Sequence, residues 1–374
     1  MNSIYDAIIV GGGVIGGSIA YQLAKRGKKV LLLEKDRLAS KASSAAAGML
    51  GAQSELESDN PLFTLARQSR GMFPALSEEL KDISGIDIEL VNKGMFKVAL
   101  TSEQESDLKN MIKIQQKAGL EAEWFTTAEI RKKEPLLSDE IRGAMYIPKD
   151  GQVSASRLSL AFTKSAAALG ADIKEYVHVS DLIIENACVR GVVTNIGEFF
   201  SENVIVASGA WSNFLLEKAG VKLDTYPVKG ECFSVLTNRP LLVKTIFSHG
   251  CYLVPKVGGR IIVGATVKAH TFDQKVSIEG ISTLIEKATY LLPALKETEW
   301  EKAWAGIRPQ TGDGLPYFGE HPAYNGLFIA TGHFRNGILL SPITGVLIAD
   351  IVERKANSEW SAFRVDRSIN TIFS

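Results

Sequence analysis

The N-terminal segment constrains this chain more than any other. An apolar run, Ala7-Ile8-Ile9-Val10, meets Gly11-Gly12-Gly13-Val14-Ile15-Gly16, continues as a helical pattern to Gly27, and reaches a second apolar run, Val30-Leu31-Leu32-Leu33, closed by Glu34. Strand, glycine-rich turn, helix, strand and acid in this order predict a βαβ unit that binds a dinucleotide. Gly11 permits the tight turn. Gly13 lets the backbone reach a pyrophosphate at the helix N-terminus, where Val14 and Ile15 follow, and Gly16 lets helix and strand pack closely. Glu34, with Lys35 beside it, stands where an acid accepts hydrogen bonds from an adenosine ribose. Ile15, Ile19 and Leu23, at i, i+4 and i+8, give the helix one apolar face for a parallel sheet.

A chain of 374 residues is long enough for about two domains. Lys and Arg together number 42, as do Asp and Glu, so no global field attracts nucleic acid or an anionic membrane. Three widely spaced cysteines, Cys188, Cys232 and Cys251, argue against a disulfide framework or a zinc site, and no metal is expected. They fit a reducing, cytoplasmic setting. The first apolar run is too short for a signal peptide, and the tract from Gly337 to Val352 is expected to be broken by Pro342 and Asp350, too short to span a bilayer.

Lys41 to Gly51 is rich in small residues, so that backbone can approach a large planar ligand, or pack tightly as a helix. Strands are expected at 94–100 and 143–148, with a helix over 102–119 and another begun by the capping box Thr126-Thr127-Ala128-Glu129. A helix over 154–169 leads to Ala171-Asp172-Ile173 and to Tyr176-Val177-His178-Val179. A hairpin over 192–199 feeds the strand Val204-Ile205-Val206, which ends at Ala207-Ser208-Gly209. Cys251 to Pro255 and Ile261 to Ala265 flank a glycine hairpin, and alternation puts Tyr252 and Val254 on one face. Phe328-Ile329-Ala330 then enters a second glycine-bounded turn and a last helix.

There is one GxGxxG and no second, so no separate nicotinamide domain is expected, and electrons come directly from a substrate. The terminal acid, the Ala207-Ser208-Gly209 strand end and the C-terminal glycine turn resemble the FAD-dependent amine oxidase superfamily of D-amino-acid oxidase and sarcosine oxidase. Within it, the segments 44–52, 227–232, 304–309 and 332–340 are similar to those of the bacterial glycine oxidase branch, and the resemblance runs from the first strand to the last helix. It implies an α/β FAD-binding domain, Rossmann-like and of the glutathione-reductase type, with an interleaved α+β substrate domain built on an antiparallel sheet. The expected division is 1–88, 149–225 and 300–374 for FAD, and 89–148 with 226–299 for substrate.

The resemblance also implies a site. FAD would be held by the N-terminal turn, Glu34 and Lys35, by Ala42, Ser43, Ser44, Ala47, Gly48 and Met49, by Val179 and Gly209, and by His333, Phe334, Arg335, Asn336, Gly337, Ile338 and Leu339. Some relatives tether the flavin through a cysteine in the segment matching 303–316; this chain has none there, so noncovalent FAD is expected. Arg335 matches the carboxylate-binding arginine, against a plain salt bridge. Arg308 would lie near substrate or flavin, or merely orient loops, and Tyr252 would bond the carboxylate or sit buried in the sheet. His333 suits positioning at least as well as a base, and Gly337 opens a helix whose dipole faces reduced flavin. The implied reaction oxidises glycine, sarcosine and small D-amino acids, with O2 reduced to hydrogen peroxide, for thiamine thiazole synthesis, in a homotetramer. A sarcosine or D-amino-acid oxidase, an acceptor-linked dehydrogenase and a non-catalytic flavin module remain alternatives. Gly250, where relatives tend to have histidine, and Val267, where they have methionine, are expected near the pocket.

Overall fold

The computed structural model of the protein describes residues 5–55, 60–355 and 358–367. The strand Ala7–Val10 pairs in parallel with Val30–Leu33 on one side and Val204–Val206 on the other. Asp172–Lys174 and Leu327–Thr331 extend this parallel sheet, and Tyr317–Glu320 closes it as an antiparallel edge. These strands are short continuous apolar runs because the sheet is covered on both faces. Ala7, Ile9, Val30 and Leu32 face one core; Ile8, Val10, Leu31 and Leu33 face the other.

The first core is roofed by the helices Val14–Lys25, Pro61–Ser84, Ala155–Ala168 and Gly337–Val352. Small residues bring them close. The Ser18 hydroxyl donates to the carbonyl of Ser341 at 2.7 Å, and a Cβ at Gly345 would collide with that hydroxyl. Pro342 does not break the last helix, contrary to the sequence expectation. A proline cannot donate to the carbonyl four residues back, and here the Ser341 hydroxyl serves that carbonyl, Ile338 O, at 2.9 Å. The stretch from Phe334 to Val352 is long and apolar enough to cross a membrane by length and composition alone, but it packs into this core. The second core is covered by a three-stranded meander of Val179–Glu185, Cys188–Thr194 and Gly197–Phe200. The sequence hairpin over 192–199 accounts for two of those strands, and the third begins at the expected Val179.

The other large sheet runs Lys268–Ala269, Thr225–Leu236, Arg260–Gly264, Cys251–Pro255, Thr245–Ser248, Met95–Ala99, Gly143–Ile147, Glu123–Thr126. All neighbours are antiparallel except Thr245–Ser248 with Met95–Ala99. Thr126 and Glu129 form the expected capping box. Glu299–Thr311 also belongs to this sheet, pairing along the whole of Thr225–Leu236. The sequence reading placed residues 300–311 with the FAD-binding pieces. They instead pair with 225–236 in one long antiparallel ladder, with a single register shift between Ser234 and Val235. Arg308 consequently lies inside this strand.

Candidate active site

A cavity of about 750 Å³ runs from the N-terminal glycine turn to the face of the antiparallel sheet. At the turn, Gly11 has φ 113°, and a Cβ there would lie 2.6 Å from the Ala207 carbonyl oxygen. Only glycine fits that close approach of two strand ends. Glu34 grips the turn: one carboxylate oxygen accepts from Gly12 N at 2.6 Å, the other from Asp36 N at 2.9 Å. Each oxygen retains a second lone pair, so two adjacent ribose hydroxyls can still be bound. Val14 N donates to the Ser43 hydroxyl at 2.9 Å, which ties the helix start to the small-residue segment.

That segment lines the middle of the cavity through Ala42, Ser43, Ala47, Gly48 and Met49. It is clamped from outside by Trp304, whose indole N–H donates to Ala45 O at 3.0 Å, while a Cβ at Gly306 would sit 2.6 Å from that of Ala45. A side chain at Gly11 or Gly306 would fill space that a neighbouring residue already uses. The residues present therefore form a glycine-walled cradle, with a ribose acceptor at one end and a helix N-terminus beside it, that fits an extended dinucleotide.

The far end is built by strand alternation. Val228, Gly230 and Cys232 pair with Arg308, Gly306 and Trp304, and Cys232 pairs onward through Gly264 to Tyr252. Gly230, Cys232, Tyr252, Gly306 and Arg308 line the cavity. The Tyr252 hydroxyl lies 3.4 Å from Cys232 Sγ, and burial holds the phenol well above its ordinary pKa, so it is a neutral donor. Arg308 donates to Thr266 O at 3.3 Å and has no carboxylate partner among the described residues. Arg335, by contrast, places Nε 2.9 Å from Glu55 Oε2 and lies 5.7 Å from the Phe247 ring centroid.

Glu55 is the group that sequence reasoning missed. Its turn is fixed by buried Asp150, which accepts from Gln53 N at 3.3 Å and Ser54 N at 2.9 Å and pairs with Arg70. Burial holds the Glu55 carboxyl above its ordinary pKa, an effect that Arg335, Lys97 and Arg308 only partly offset. No local motif marks such a residue; it becomes visible only when the turn meets the last helix. Trp211, missed likewise, also lines the cavity.

His333 is buried, with Nε2 3.1 Å from Thr344 Oγ1, and burial lowers its pKa to about 3. So weak a base holds position rather than moving protons. Gly11, Gly13, Val14, Ile15, Glu34, Lys35, Val179, Gly209, His333, Phe334, Arg335, Gly337 and Ile338 line the cavity. Gly16, Ser44, Asn336 and Leu339 are not among its lining. Gly16 carries no side chain because one would strike the Gly11 carbonyl, and Leu339 faces the helix core. Ser44 donates to Lys41 O at 3.1 Å, and Asn336 stands just before the last helix without a side-chain capping hydrogen bond. Gly250 and Val267 also lie off the cavity: Gly250 turns toward Lys287, and Val267 is exposed.

The model of the family described as "DAO: FAD dependent oxidoreductase" matches residues 6–351. The chain belongs to this family. It is thus an FAD-dependent oxidoreductase. The chain is similar to a glycine oxidase of Geobacillus kaustophilus, 49% identical over 100% of this chain and 99% of the other. The crystal structure of the G. kaustophilus glycine oxidase superposes with a TM-score of 0.95 at 48% identity, covering 98% of this chain and 99% of that one. A bifunctional protein ThiO/ThiG of Trichormus variabilis is 35% identical over 97% of this chain and 55% of its own length. An L-proline dehydrogenase from P. horikoshii has the same family fold, with a TM-score of 0.90 at 26% identity and 99% coverage of each chain.

Proposed function

We propose that this family member oxidises glycine and other small amino acids, sarcosine and small D-amino acids included, to the imine and then the 2-oxo acid, with O2 reduced to hydrogen peroxide. The observation that carries the reading is Arg308, a guanidinium facing the cavity beside Tyr252 that forms no ion pair among the described residues, whereas Arg335 is paired with Glu55. Such a group calls for an anion, and a planar fork binds a carboxylate at two points. In this assignment Arg308 is the principal clamp, Tyr252 donates a second hydrogen bond to the same carboxylate, and Arg335 stands beside them in its pair with Glu55. Gly337, at the start of the last helix, offers a positive dipole end to negative charge arriving in the cavity.

When bound, FAD would supply a two-electron acceptor for the α-hydrogen, with O2 as the final oxidant. The chain itself holds the carboxylate, presents the Cα and excludes competing water. A neutral substrate amine needs no protein base, in keeping with His333 being so weak a one. The similarity to proteins named glycine oxidase supports the substrate class, and that to the ThiO/ThiG protein supports a role in forming the thiamine thiazole. Noncovalent FAD fits the lack of cysteine over 303–316; a cytoplasmic homo-oligomer belongs to the same reading.

The test is a peroxide assay in air over glycine, sarcosine, D-alanine, D-proline and the L-forms. Peroxide from glycine and sarcosine, with L-forms hardly oxidised, is expected. The P. horikoshii relative makes a dehydrogenase the second reading, and dye reduction without peroxide would establish it. Flavin that stays oxidised with every one of these amino acids under anaerobiosis would refute both.

A further inference from the structure

The cavity presents two guanidiniums, but a small amino acid carries one carboxylate. Arg308 and Arg335 both line it, and Arg308 lies 6.0 Å from the ring of Phe334, the neighbour of Arg335 in the chain. Glu55 resolves the mismatch in charge. Its side chain is only 10% exposed, lines the same cavity, ion-pairs Arg335 at 2.9 Å and lies within electrostatic reach of Arg308. Its placement is built rather than incidental. Asp150 holds the two preceding backbone N–H groups, and Lys97 Nζ donates to Ser54 O at 2.7 Å, so the turn cannot swing freely.

Resting on the amino-acid oxidase reading, we propose that Glu55 is a specificity-determining residue: by occupying Arg335 it leaves one guanidinium for substrate and rejects amino acids that carry a second carboxylate on the amine side. With its first carboxylate on Arg308, a dicarboxylate such as iminodiacetate would bring its second toward Arg335, the guanidinium that Glu55 already occupies. Binding then either forces two carboxylates together or costs the Glu55–Arg335 pair, which is discrimination by a repulsive element. A monocarboxylate such as sarcosine meets neither obstacle. Without the Glu55 charge, the cavity holds two free guanidiniums and matches a dianion.

The experiment uses the FAD-loaded enzyme and two ethers that cannot be oxidised as amines: methoxyacetate, shaped like sarcosine, and oxydiacetate, shaped like iminodiacetate. Dissociation constants come from perturbation of the flavin absorption spectrum. In wild type, methoxyacetate binds more tightly. Glu55→Gln lowers the ratio of the oxydiacetate to the methoxyacetate constant by about tenfold or more, the scale of one charge pair gained or lost. Adding Arg335→Gln to that variant restores the wild-type ratio, a reversal that a merely structural role of Glu55 does not produce. Should Glu55→Gln fail to load FAD, Glu55→Ala is read the same way. A ratio that moves less than about threefold, or one that Arg335→Gln does not restore, overturns the inference. If wild type oxidises glycine and sarcosine, such a result leaves the functional reading standing; if it oxidises neither, both fall.

Discussion

The guanidinium of Arg308 lies over Gly230, in the space a side chain at that position would take. The two residues sit on neighbouring strands one alternate rung apart, Val228 facing Arg308 and Gly230 facing Gly306. Sheet geometry therefore makes the absence of a side chain at 230 a condition for the arginine's orientation. Gly230→Ala should displace the fork and raise KM for glycine by about tenfold or more, as overpacking costs about 1–3 kcal/mol. FAD content, read from the visible spectrum, should stay near wild type. An unchanged KM would show that Arg308 reaches the carboxylate by another path.

The two arginines should be unequal. Arg308→Ala should cost about 2–5 kcal/mol of substrate binding, as truncating one side of a buried charge pair does, appearing mainly as a rise in KM. Arg308→Lys keeps the charge, loses the fork and should recover little of it. Arg335→Ala should cost less, because Glu55 already neutralises that charge. Steady-state kinetics on glycine for the three variants decides the order, and a larger effect at Arg335 would return the clamp to it.

Glu34→Ala should weaken FAD binding by about 1–3 kcal/mol, the range for hydrogen bonds to a charged group. Two losses combine: the ribose acceptor, and the anchor that Glu34 provides for Gly12 N and Asp36 N. Fluorescence titration of the apoprotein with FAD measures it. Equal affinity in wild type and variant would remove Glu34 from the cofactor site.

His333 should steepen the acid limb of stability. Its folded pKa is about 3, below the ordinary histidine value of 6.5, because burial disfavours the imidazolium. Between those values the unfolded chain binds the extra proton, so stability is full above about pH 6.5 and falls as the pH drops toward 3. His333→Gln cannot titrate. With FAD saturating, wild type should lose about 2 kcal/mol more than the variant between about pH 7.5 and pH 5. Parallel denaturant-midpoint curves for the two proteins would show that His333 does not titrate in this way.

The sequence alone determined the local units. Ala7 to Glu34 reads as a dinucleotide-binding βαβ because each part has one physical job: apolar runs for a sheet covered twice, glycines where backbone must touch backbone, and an acid at a strand end. The capping box at Thr126 and the shared face of Tyr252 and Val254 follow as directly, since i+3 hydrogen bonds and alternation act over a few residues. Tertiary structure decided what depends on distant partners. That residues 300–311 run along 225–236, and so set Arg308 over Gly230, rests on a ladder between strands far apart in the chain. That Arg335 meets Glu55 rests on a turn held by Asp150 arriving at the start of the last helix. A charge pair of this kind leaves no periodicity to read. Its energy lies in the distance between two groups, and folding alone brings them together.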